Sequence, residues 1–184
     1  MHLDYLSAVQ ILDKSSILHS EEKISRRIQE LAHQIESEII NDIPLFLSVM
    51  NGALFFSAAL LKHMGAPFTL DYIHASRYGN DTYGASHVTW HHQPNADKIR
   101  GRNVYILDDI LDEGYTLAEI KRYINSSGAK SCKIAVLIDK NIDKPKPVTA
   151  DYIGLSAPNQ FLFGCGMDIY GLYRQLPYVC IYNN

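Results

Sequence analysis

Cysteine is scarce in this sequence. Cys132, Cys165 and Cys180 are odd in number and far apart, which excludes a disulfide framework and the paired spacing of a zinc site. Reduced thiols in a cytoplasmic protein are the expectation. Long apolar runs are absent too. The longest, Ala53 to Leu61 with Ser57 inside it, is less than half of the ~20 residues that a membrane-spanning helix needs. The first residues hold no basic cluster and carry Asp4 and then Asp13, so no signal peptide is expected. Nor is there a basic excess: 17 Lys and Arg against 20 Asp and Glu leave a net charge of −3. That argues against a general nucleic-acid surface, though not against a small anion held in a local pocket. There are no internal repeats. What remains is 184 residues, 47% hydrophobic and 20% charged. This is the size of one domain, 1–184, able to bury a core unaided.

The chain is punctuated as an α/β protein. Ser20 followed by Glu21 and Glu22 is a helix start, with an N-cap hydroxyl and carboxylates in the first turn. Ile24, Ile28, Leu31, Ile35 and Ile39 then recur at helical spacing to about Ile40. Leu45–Val49 reads as a buried strand, Met50-Asn51-Gly52 as a turn, and Ala53–Met64 as a helix stopped by Gly65. A second strand spans Phe68–Ala75. From Ser76 to about Asp97 the chain is polar for longer than an ordinary connection, so a functional loop or a β-arm is expected. A third strand, Asn103–Leu107, a helix, Thr116–Ser126, and a fourth strand, Lys133–Ile138, follow. Tyr152–Leu155 and Tyr178–Tyr182 read as later strands. Strand and helix alternate across short turns, which predicts a parallel sheet with helices on both faces. Such sheets bind ligands at the carboxyl ends of their strands.

The chemistry concentrates between Val104 and Leu117. A strand delivers Asp108 and Asp109, then come Asp112, Glu113, Gly114 and Tyr115, and Thr116 opens a helix. Backbone N–H groups at a helix start bind anions, glycine allows close approach, and a threonine hydroxyl donates to phosphate oxygen. Carboxylates suit Mg²⁺ or ribose hydroxyls. The combination suggests a sugar phosphate. The segment is neither a P-loop nor a G-x-G-x-x-G dinucleotide turn.

Asp108-Asp109-Ile-Leu-Asp112-Glu-Gly-Tyr-Thr116 resembles the phosphoribosyl pyrophosphate (PRPP) motif of the type I phosphoribosyltransferases. Further segments resemble the 6-oxopurine branch, the hypoxanthine-guanine phosphoribosyltransferases: Met50-Asn51-Gly52 its pyrophosphate turn, Ser76-Arg77-Tyr78-Gly79 the start of its mobile loop (about 76–97), and Val136–Lys140 its base-reading strand. Asp151–Gly154, Phe161–Gly164 and Met167–Arg174 resemble its hood, about 151–184. The resemblance runs from about Ser20 to Ile181. It implies a type I phosphoribosyltransferase core with a small hood formed from the chain's C- and N-terminal parts. It also implies transfer of a purine base onto PRPP with release of pyrophosphate, Mg²⁺ as cofactor, and a homo-oligomer, dimeric or tetrameric.

The same resemblance implies residue roles. Asp108 and Asp109 hold the ribose hydroxyls and lie at the metal, and Asp168 helps to hold a second Mg²⁺. Asp112 is the general base beside purine N7. Asp112, Glu113, Gly114, Tyr115 and Thr116 cradle the 5′-phosphate. Met50, Asn51, Gly52, Arg77 and Arg174 contact pyrophosphate, with a cis peptide at Met50–Asn51. Lys140 donates to the purine 6-oxo group, Phe161 stacks on the base, the Leu162 backbone reads its edge, and Asp168 lies beside this purine site. Two positions depart from the commonest pattern. Glu113 replaces Thr or Ser, so its carboxylate is expected to turn away from the phosphate. Asn51 replaces Lys, which removes a positive charge. Plainer readings stand beside these: a helix-capping Asp112, a surface Lys140, a core Phe161, and Asp168 and Arg174 as surface ions. His87, His91 and His92 invite a metal reading, but Mg²⁺ prefers oxygen ligands and no carboxylate partner is obvious beside them, so zinc is not expected. A nucleotide-sensing regulator of the same fold is the alternative function. A phosphoacceptor receiver domain is disfavoured, because its acidic pair follows the first strand rather than the third.

Overall fold

The structure, a computed structural model, describes residues 4–77 and 88–183. Its centre is a six-stranded sheet of β2 (Leu45–Met50), β3 (Thr69–Arg77), β4 (Val88–His92), β5 (Asn103–Leu111), β6 (Ser131–Lys140) and β7 (Tyr152–Ala157), in the order β4-β3-β2-β5-β6-β7. All neighbours are parallel except β3 and β4. The unbroken burial of Leu45–Val49 and of Ile134–Ile138 follows from covering both faces of a parallel sheet. Side chains alternate between those faces. Phe46, Tyr105, Leu107 and Leu137 pack with α2 (Glu21–Glu38) and α3 (Leu54–Leu61). Leu45, Leu47, Val104, Ile106, Ile134 and Val136 pack with α5 (Tyr115–Ser126) and with Ile99 of the short α4 (Ala96–Ile99).

Topology then positions the site. From β2 the chain leaves through α3 on one face toward β3. From the adjacent β5 it leaves through α5 on the other face toward β6. The two departing turns diverge and open a crevice above the carboxyl ends of β2 and β5, the switch point where such sheets take ligands.

A second, antiparallel sheet, β1-β9-β8, forms the hood from β1 (Ser15–His19), β8 (Leu162–Phe163) and β9 (Val179–Tyr182). The residues before Ser20 supply α1 (Tyr5–Asp13) and this outer strand, so the N-terminal part joins the hood as expected. Ile11 of α1 packs with Phe163, Ile169 and Cys180 beneath the hood. Asp4 caps α1 by accepting the Ser7 N–H at 2.8 Å.

Several expected boundaries move. Tyr152–Ala157 is an edge strand of the main sheet, so the hood begins near Leu162 rather than at residue 151. The third strand runs on to Leu111 and carries Asp108 and Asp109 within it. The helix expected over Ala53–Met64, α3, stops at Leu61, and Gly65 is not left-handed as a C′ stop would be. Its N–H and that of Ala66 instead donate to Glu36 Oε1 at 2.6 and 2.7 Å, so a carboxylate of α2 ends the segment. The polar stretch is a β-arm where it is described, β3 pairing with β4. Residues 78–87, including Tyr78, Gly79 and His87, and the side chain of Arg77 lie outside what the structure describes.

Candidate active site

The last residues of β5 build the acidic floor. Asp108 and Asp109 are 9% and 8% exposed, and the Asp109 N–H donates to Asp108 Oδ1 at 3.0 Å. Burial pushes the Asp108 carboxyl well above the ordinary range, and the neighbouring Asp109 charge adds to this. Burial also raises Asp109, opposed by its hydrogen bond with Asp108 and by the Arg174 charge. Two buried carboxylates side by side offer hard oxygen donors of the kind that suits Mg²⁺.

Beyond Leu111 the chain passes Asp112 and Glu113 and turns at Gly114, whose φ of +83° is left-handed. A Cβ there would stand 3.1 Å from Leu111 Cδ1 and 3.3 Å from Val148 Cγ1. No side chain caps α5 at Gly114, so the first-turn N–H groups present their dipoles to the crevice. The crevice is a cavity of about 390 Å³. Its walls are the turn Met50-Asn51-Gly52, the pair Asp108 and Asp109, the loop Asp112–Thr116, and Arg174. The Met50–Asn51 peptide is cis.

Close packing joins these walls. A Cβ on Gly52 would lie 2.2 Å from Asp109 Oδ2, and one on Gly166, whose φ is +105°, would lie 1.9 Å from the Gly52 carbonyl oxygen. The hood therefore rests on the Gly52 turn, which rests on Asp109. Arg174 donates to the Gly166 carbonyl at 2.6 Å and ion-pairs with Asp168, which also accepts the Gly171 N–H at 2.7 Å. Gly52→Ala is expected to displace the Asp109 carboxylate and raise the PRPP KM at least about tenfold, with little change in the purine KM. Steady-state kinetics in each substrate checks this; an unchanged PRPP KM refutes it.

On the other side of the loop lies a second cavity of about 380 Å³, lined by Asp112, Glu113, Lys140, Ile142, Asp143, Lys144 and Asn159. Lys140 donates to Asp112 Oδ2 at 3.0 Å. Its side chain is 13% exposed, which sets aside the reading of a surface lysine; that of Asp112 is 45% exposed. Asp112 does not cap α5, since Gly114 holds the N-cap position. Glu113 ion-pairs with Lys144, which draws its carboxylate toward the loop after β6.

The structure thus brings Met50, Asn51, Gly52, Asp108, Asp109, Asp112, Glu113, Gly114, Tyr115, Thr116 and Arg174 to one cavity, and Lys140 to its neighbour. Phe161 and Leu162 line neither. Phe161 is 53% exposed beside the second cavity's Asn159, too open for a core aromatic, and Leu162 is buried in β8. Asp168 reaches the site only through Arg174. Among the described residues no three His, Cys, Asp or Glu side chains gather around one metal position. Gly166 and Lys144 went unnoticed in the sequence as parts of the site. Their partners lie over a hundred and about thirty residues away, and no local pattern marks them.

A parallel sheet that sets a buried acidic pair beside a glycine-turned helix start, at its switch point, has the architecture of a phosphoribosyltransferase. The family model for the phosphoribosyl transferase domain matches residues 14–169. A hypoxanthine-guanine phosphoribosyltransferase of Bacillus subtilis is 35% identical over 167 residues, 91% of this chain and 92% of that protein. A bifunctional TilS/HprT protein of Listeria innocua is 36% identical over 169 residues, but this chain spans only 26% of its length. Among solved structures, a hypoxanthine-guanine phosphoribosyltransferase of Bacillus anthracis superposes with a TM-score of 0.84 at 33% identity, covering 90% of this chain and 97% of that one. A hypoxanthine phosphoribosyltransferase of Staphylococcus aureus gives 0.87 at 27% identity, covering 97% and 96%. The chain belongs to the hypoxanthine-guanine phosphoribosyltransferase family.

Proposed function

We propose that the protein is a purine-salvage enzyme that transfers hypoxanthine or guanine to PRPP, giving the purine nucleotide and pyrophosphate. The observation that carries this reading is the Asp112–Lys140 pair, 3.0 Å apart where the phosphate cavity meets its neighbour. A 6-oxopurine carries N7 and the 6-oxo oxygen on one edge. A carboxylate accepts from N7–H while the adjacent ammonium donates to the oxygen. Adenine offers an amino group there, which leaves the lysine facing a donor and a buried polar group unpaired.

The new bond joins purine N9 to ribose C1 as the C1–oxygen bond to pyrophosphate breaks, and Asp112 takes the proton from N7. The N–H groups from Asp112 to Thr116 hold the 5′-phosphate and so fix C1 against the base. Asp108 and Asp109 take the ribose hydroxyls. Met50-Asn51-Gly52 and the planar donor fork of Arg174 receive pyrophosphate. Asp168 orients Arg174 through their ion pair. Mg²⁺, when bound, neutralises the leaving pyrophosphate; the buried acidic pair suits it, with the remaining oxygen ligands coming from substrate. Phe161 covers the base and the Leu162 backbone reads its edge. Free thiols at Cys132, Cys165 and Cys180 support a cytoplasmic setting. Exposed Leu54, Leu70 and Tyr72 support self-association. Among the described residues no helix is long and apolar enough to cross a membrane.

The test is release of pyrophosphate from PRPP and Mg²⁺ with each purine in turn. Turnover with hypoxanthine or guanine and none with adenine is expected. Folded protein that turns over neither 6-oxopurine would leave the nucleotide-sensing alternative.

A further inference from the structure

Lys146, between β6 and β7, lines neither cavity. Its side chain is nevertheless only 14% exposed, unusual for a lysine. An ammonium has three N–H donors and no acceptor capacity. All three are committed here: to the carbonyl oxygen of Leu111 at 2.7 Å, that of Lys140 at 2.6 Å, and Asp139 Oδ1 at 2.6 Å. The Asp139 carboxylate offsets the buried charge. Leu111 is the last residue of β5 and immediately precedes Asp112. Lys140 is the last residue of β6. The ladder between these strands ends at the Leu111–Asp139 pair. Just past it the two chains diverge toward their separate loops, and the Lys146 ammonium ties them together where the backbone no longer does.

We propose that Lys146 is a positioning residue that fixes the separation of Asp112 and Lys140, and thereby the enzyme's grip on the purine edge. The inference rests on the function proposed above. Lys146 touches no substrate. It acts by holding the backbone from which the proton acceptor and the oxo-group donor project. The phosphate cradle depends on it less, because α5 is held independently by buried Leu117, Ile120 and Ile124.

Lys146→Met keeps most of the stem and removes the donors. The purine KM is expected to rise about tenfold or more, while the PRPP KM stays within about twofold. Calorimetry is expected to show the matching split: weaker binding of the purine nucleotide and nearly unchanged binding of ribose 5-phosphate. Lys146→Gln retains a shorter donor and is expected to show the same split in milder form, which keeps the test open if the Met variant does not fold. An unchanged purine KM, or equal losses toward both substrates, overturns the proposal; equal losses would mean that Lys146 merely stabilises the fold. Wild-type protein that turns over neither purine instead removes the proposed function, an outcome distinct from either.

Discussion

Asp112→Ala is expected to lower kcat by ~10²–10⁴ while PRPP binding survives. The two halves of this expectation have separate structural causes. In the proposed reading backbone N–H groups of the loop hold the 5′-phosphate, and deleting one side chain leaves that backbone, with Gly114 close to Leu111 and Val148, in place. The proton, by contrast, has one acceptor beside Lys140. The other carboxylate lining both cavities, Glu113, is ion-paired with Lys144. Asp112→Asn separates geometry from basicity, since the amide oxygen still accepts from Lys140 but cannot take the N7 proton. Its purine KM is expected to stay close to wild type and its kcat to fall nearly as far as that of the Ala variant. Pre-steady-state pyrophosphate release checks both. A kcat near wild type in either variant removes Asp112 from the role of base.

What the sequence made legible follows contact distance along the chain. Ser20 caps its helix through the N–H of Lys23, and Ile24, Ile28, Leu31 and Ile35 bury one helical face, because both signals lie within one or two turns. The strands β2, β5 and β6 showed as apolar runs because both faces of a parallel sheet are covered. The turn between β5 and α5 was readable because strand end, glycine and helix start are contiguous. The long-range fits were not. Gly166 against Gly52, Lys146 across two strand ends, and β1 beside β9 each join segments that share no local pattern. The misplaced helix end has the same origin. Gly65 looked like a C-cap, and only the fold brings the Glu36 carboxylate to its N–H.

Asp108→Asn is expected to stabilise the ligand-free protein while lowering activity at least about 10²-fold. Asparagine keeps a side-chain oxygen for the Asp109 N–H, now 3.0 Å from Asp108 Oδ1, and removes one of two buried negative charges. The sign follows from linkage. Burial first, then the Asp109 charge, raises the folded-state pKa of Asp108 above its ordinary value of 3.8. The folded state therefore binds the proton more tightly than the unfolded chain does. The stability this brings is complete below the unfolded pKa and is lost as pH rises through the folded one. At neutral pH the wild-type pair folds against its own charge, and the variant does not. The Tm difference between variant and wild type should therefore widen in favour of the variant as pH rises above the ordinary carboxyl value of 3.8. Addition of PRPP with Mg²⁺ should raise the wild-type Tm more than the variant's, because the incoming cation would offset more buried negative charge in the wild type. A variant less stable than wild type at neutral pH, or equally stabilised by PRPP and Mg²⁺, would show that the acidic floor is not held in this unfavourable state for its ligand. If the expectation holds, the two aspartates lower the stability of the empty enzyme and are compensated only when the substrate arrives with its metal.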